Sequence, residues 1–100
     1  MIRSQNFIGT ATSILTPYLG TVAKYFAKRY LTSYAEREIQ KQLTKFVQKY
    51  FGNSLVQGLT FFIMHLVKTH WKDIYGTTSL KQIAQFLINK LITNSGKLLD

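Results

Sequence analysis

Apolar residues recur along this chain every three or four positions, the period of an α-helix and not the alternation of a strand. Phe7, Ile8, Ala11, Ile14 and Leu15 form a first stripe, and Leu19, Val22, Ala23, Phe26 and Tyr30 a second. Ala35, Ile39, Leu43, Phe46, Val47 and Tyr50 form a third, while Leu80, Ile83, Ala84, Leu87, Ile88 and Leu91 form the last. Residues 55–75 are apolar almost all round, with Leu55, Leu59, Phe62, Ile63, Leu66 and Val67 as their strongest face. A helix with no polar half belongs inside a bundle. The pattern therefore predicts an all-α bundle of four or five helices around a central apolar helix at about 54–75, with Phe62 in the core. It predicts no β-structure.

The polar positions punctuate these stripes as helix ends. Ser33 precedes Glu36, Ser54 precedes Gln57 and Ser79 precedes Gln82 by three residues, which is the spacing of a capping box. Thr16-Pro17 predicts a further start, with Pro at the first helical position. Gly52, Gly76 and Gly96 stand where left-handed caps would end helices. No linker or repeat interrupts the series, so residues 1–100 are read as a single helical domain.

Composition sharpens this picture. At 100 residues and 46% hydrophobic the chain has apolar material for one core and not for two. It has no cysteine, which excludes disulfides, thiolate metal sites and a cysteine nucleophile. Thirteen Lys and Arg against four acids give a net charge of +9, a surplus that favours an anionic partner. With 17% charged residues and a mean hydropathy of −0.01, the chain is cationic and apolar together, which leans toward a membrane surface.

No segment is expected to cross a bilayer. The longest near-apolar run, Leu55 to Val67, falls short of the roughly 20 residues a span needs and carries Gln57, Thr60 and His65. No signal-peptide pattern is present. The first 35 residues hold no acid, many Ser and Thr, and the cations Arg3, Lys24, Lys28 and Arg29, loosely the composition of a transit peptide. They read better as the N-terminal helices of a basic protein. A cytoplasmic or peripheral-membrane location is expected.

Candidate binding residues fall in two groups. Arg37, Lys41, Lys45 and Lys49 stand at i, i+4, i+8 and i+12, a row of cations opposite the Ile39/Leu43/Phe46 face. Glu36 and Glu38 are placed to neutralise only its first turn. The second group mixes Tyr25, Tyr30 and Tyr34 with Lys24, Lys28 and Arg29. Tyrosines among cations suit a lipid headgroup boundary, or the stacking of unpaired bases. The plainer alternatives are a solvated basic face and tyrosines packed on the core.

Catalytic and metal chemistry find little support. His65 and His70 are five apart, whereas a zinc pair on one helix needs i, i+4, so no metal and no cofactor is expected. His70 and Asp73 are placed for a local contact. Four acids leave little for a carboxylate pair, Ser54, His65 and Asp73 have no triad-like spacing, and no glycine belongs to a phosphate-binding loop. Residues 79–87 loosely resemble the first helix of a helix-turn-helix, but the apolar stripe simply continues through Leu91. The chain is expected to be a non-enzymatic protein that binds an anionic lipid surface, peripheral or membrane-active, including the antimicrobial kind. Nucleic acid is the alternative partner. A third reading is a subunit of an assembly, as a homo-oligomer or beside a partner protein.

Overall fold

The computed structural model describes the backbone of residues 2–77 and 79–99, and the side chains of residues 7–77 and 79–94. These form five α-helices and two 3₁₀ turns: α1 (Ile2–Thr21), a 3₁₀ turn (Ala23–Ala27), α2 (Ser33–Phe51), a 3₁₀ turn (Asn53–Leu55), α3 (Val56–Thr69), α4 (Trp71–Ile74) and α5 (Leu80–Leu99). No strand occurs among the described residues, and the all-α bundle expected from the periodicity is what the chain forms.

The first boundary differs from the sequence reading. Pro17 lies inside α1 and does not start a helix. Proline deprives a helix of one N–H bond and crowds the carbonyl four residues back. Here the helix persists because Ala11, Leu15 and Leu19 are buried on one face. The Thr16 hydroxyl also donates to the Thr12 carbonyl at 2.7 Å. The chain tightens to 3₁₀ only after Val22, with Phe26 carried into the core.

α2 starts one residue earlier in its cap than expected. Thr32, not Ser33, is the N-cap, and its hydroxyl accepts from the amide of Ala35 at 3.1 Å. Glu36 is therefore one position past the residue that could complete a capping box. α2 ends at Gly52, whose φ of +94° is open to glycine at little cost. The Gly52 amide donates to the carbonyls of Val47 and Gln48.

The apolar stretch 54–75 is not one helix. Ser54 sits in the second 3₁₀ turn and caps nothing, and the helix divides at His70 into α3 and α4. Ile63, Met64, Leu66, Val67, Trp71 and Ile74 reach the core, whereas Phe62 is half-buried and Leu55 and Phe61 are exposed. Excess apolar surface on α3 thus goes to solvent. α5 begins as predicted, the Ser79 hydroxyl accepting from the Gln82 amide at 3.2 Å. It runs unbroken through Gly96, which ends nothing, so the loose helix-turn-helix likeness has no turn.

α1 packs on both α5 and α2, α2 packs in turn on α3, and α3 meets α5, which closes the bundle. Their shared core is built from Leu15, Leu19, Ile39, Leu43, Phe46, Val67, Leu87 and Ile88, all at or near zero exposure. Among the described residues no helix is long and apolar enough to cross a membrane.

Candidate functional site

α2 and α3 form a hairpin whose inner faces meet the core and whose outer faces meet solvent. On α2, Ala35, Ile39, Gln42, Leu43, Phe46 and Val47 are buried, which turns Tyr34, Arg37, Lys41, Lys45 and Lys49 outward. All four cations of the predicted row are exposed. A step of four residues overshoots one 3.6-residue turn by about 40°, so the row winds around the helix over a rise of about 18 Å. Glu38 neutralises part of it, its carboxylate receiving Lys41 Nζ at 3.0 Å.

Glu36 does something the local pattern did not foresee. Displaced from the capping position, it pairs across the hairpin with Lys68 of α3, Nζ to Oε2 at 3.4 Å. Next to this pair lies the most exposed large apolar side chain of the described residues, Phe61, at 76%. Phe61 shares a shallow cleft with Glu36, Gln40, Met64, His65 and Lys68, which sets the ring against the Glu36/Gln40 side of α2, next to Lys68. Periodicity had counted residues 55–67 as core throughout. The signal available in the sequence was that α3 offers more apolar side chains than one face can bury.

The second predicted group is divided. Lys24 and Tyr25 occupy the first 3₁₀ turn, Lys24 Nζ lying 5.3 Å from the Tyr25 ring centre. Tyr25 meets Tyr34 edge-on at 6.1 Å, which brings this turn to the start of α2. The Tyr25 phenol is raised above its ordinary value, first by desolvation, then by the neighbouring Tyr34 hydroxyl and the charge of Glu38. Lys28, Arg29 and Tyr30 follow in the exposed link to α2, and the Arg29 guanidinium lies 5.5 Å from the Tyr30 ring centre. This link faces α3 and α4: the indole N–H of Trp71 donates to the carbonyls of Lys28 and Arg29.

Of the tyrosines, Tyr18 and Tyr50 pack on Phe46 and serve the core. Tyr30 and Tyr34 are exposed at 72% and 57%. The histidines lie apart in their contacts: His65 hydrogen-bonds with Thr69, while His70 stands 3.7 Å from Asp73 and edge-on to Phe86. The His70–Asp73 contact is the one the spacing predicted. Among the described residues no three potential metal ligands cluster.

The candidate site is thus a basic outer face on the α2–α3 hairpin, with aromatic rings at its margin. Comparison with protein-family models, with curated proteins and with solved structures finds no match, so the geometry itself has to carry the functional reading.

Proposed function

We propose that this protein is a non-enzymatic, peripheral binder of anionic membrane surfaces, docking through the outer face of the α2–α3 hairpin. Phe61 carries the reading. A ring this exposed, set beside Lys68 and on the same hairpin as the exposed row Arg37, Lys41, Lys45 and Lys49, supplies the apolar anchor that a purely solvated basic face lacks. Cations near an anionic leaflet contribute about 1 kcal/mol each. Transfer of a Phe side chain out of water contributes up to about 1.5–3 kcal/mol. Together these give reversible attachment without a span.

Nucleic acid is the second reading, favoured by one observation: the exposed Tyr30 ring under the Arg29 guanidinium, a pairing suited to stacking an unpaired base. Parallel titrations against anionic vesicles, neutral vesicles and single- and double-stranded oligonucleotides at two salt concentrations separate the two. On the membrane reading, anionic vesicles bind best, and replacing the four cations of the row by Gln removes most of that binding. Phe61→Ala weakens binding to anionic vesicles but leaves oligonucleotide affinity unchanged. Tight oligonucleotide binding whose salt slope flattens by roughly one unit per lost phosphate contact favours nucleic acid instead. If the quadruple variant binds every probe as the wild type does, the row is only a solvated face.

A further inference from the structure

Where the link from residue 28 to 31 crosses the α3–α4 corner lies a groove of about 690 Å³. Arg29, Tyr30, Lys68, Trp71, Lys72 and Tyr75 line it. We propose that this groove is a binding site for an organic phosphate, a phosphomonoester on an aromatic or otherwise apolar carrier. The inference goes beyond surface docking and does not depend on it.

The charge fits that group. Among the described residues neither Arg29 nor Lys72 pairs with a carboxylate, and Lys68 alone has an acid, Glu36 at 3.4 Å. Three cations less one acid leave the groove a surplus of two positive charges. A phosphomonoester carries about −1.5 to −2 at neutral pH and matches this, whereas a single carboxylate would meet half of it. Arg29 presents a planar fork suited to two phosphate oxygens, and Lys72 adds a second donor from another element. The Tyr30 ring against the guanidinium orients the fork.

The groove is also held open by its own walls. Trp71 is buried, and its indole donates at 3.1 Å to Lys28 and at 3.0 Å to Arg29, so the backbone carrying Arg29 is fixed relative to α4. Tyr30 and Tyr75 supply rings for the carrier. The groove is open, with Arg29, Tyr30, Lys68 and Lys72 exposed along it, so it meets a phosphate at the surface and does not enclose the carrier. Such a phosphate could reach the groove on a lipid headgroup or on a soluble metabolite.

The test uses phenyl phosphate and the emission of Trp71, the one tryptophan of the chain. Phenyl phosphate is expected to change Trp71 emission saturably. The double variant Arg29→Gln/Lys72→Gln, and each single variant, should weaken that affinity, the double by about tenfold or more. Lys81→Gln, on α5 and outside the groove, should leave it within about twofold. A second arm compares phosphatidic acid with phosphatidylserine vesicles of equal surface charge. A preference for phosphatidic acid that the groove variant loses identifies a lipid source, and its absence beside intact phenyl phosphate binding identifies a soluble one. If the wild type gives no saturable response to phenyl phosphate, or the groove variants bind as the wild type does, the proposal is overturned.

Discussion

Trp71 Nε1 donates to the carbonyl oxygen of Arg29 at 3.0 Å, across forty-two positions of sequence. The same N–H is shared with Lys28, so one buried donor fastens an otherwise irregular link to the corner between α3 and α4. Phe26 packs on the indole ring at 5.8 Å, and the Gly76 amide donates to the Phe26 carbonyl at 2.9 Å, closing the same junction from the other side.

Trp71→Phe keeps most of the ring and removes the donor. It is expected to cost about 1–3 kcal/mol, because two partly buried carbonyls lose a partner. Urea unfolding followed by circular dichroism measures this. A change of less than about 0.5 kcal/mol would mean that water replaces the indole without loss.

The three phenylalanines Phe46, Phe61 and Phe62 should separate cleanly under truncation to Ala. Phe46 is fully buried among Tyr18, Tyr50 and Phe51, and its loss is expected to cost about 3–5 kcal/mol. Phe62 is half-buried and should cost clearly less, about 1–3 kcal/mol. Phe61 should leave stability within about 0.5 kcal/mol of wild type while weakening vesicle binding. Equal losses at Phe46 and Phe61 would contradict the packing described above.

Much of this fold was legible in the chain, and the misreadings share a cause. The first, third and last of the five stripes became α-helical faces packed on the core, whereas the second runs out of α1 through the 3₁₀ turn to the exposed Tyr30; the Ser79 cap stands where Gln82 marked it. Pro17 misled because local propensity was outweighed by burial of Leu15 and Leu19 on either side. Ser33 and Thr32 are adjacent cap formers, and only the backbone decides between them. Exposure of Phe61 was illegible, since periodicity reports that a helix is apolar all round but not which side has no neighbour. The exposed basic row, by contrast, followed directly from its spacing against Ile39 and Leu43.

Gly58 lies in the first turn of α3 with open space where a side chain would begin, and its φ is not positive. Gly58→Ala should therefore stabilise the protein by about 0.5–1 kcal/mol, through the lower backbone entropy of the unfolded chain. A rise in the thermal midpoint checks this. No rise, or a fall, would show that α3 needs the flexibility of glycine at that point.

Tyr25 should make the protein's stability fall at alkaline pH. Its phenol is raised above the 10.0 of the unfolded chain, so folding favours the protonated form. That contribution is complete below pH 10.0 and is lost as pH rises through the folded-state value. An ultraviolet difference titration should show a late-ionising tyrosine that Tyr25→Phe removes and Tyr34→Phe shifts downward. Identical curves for wild type and Tyr25→Phe would contradict the assignment.

The pairing of α1 with α5 has a kinetic consequence. A methyl group added at Gly20 would come within ordinary van der Waals reach of Leu80, so the end of α1 lies close to the start of α5 across sixty positions of chain. Closing so long a loop is entropically costly, whereas α2 and α3 are joined by a few residues and find each other cheaply. The hairpin that carries the basic face should then assemble ahead of the seam between α1 and α5. In a chevron analysis, Val47→Ala would mainly slow folding, and Leu15→Ala would mainly speed unfolding. The reverse pattern would place the nucleus in the terminal helices. On this order of events the basic face is among the first parts of the molecule to exist, and the seam between α1 and α5 is the latch that makes it permanent.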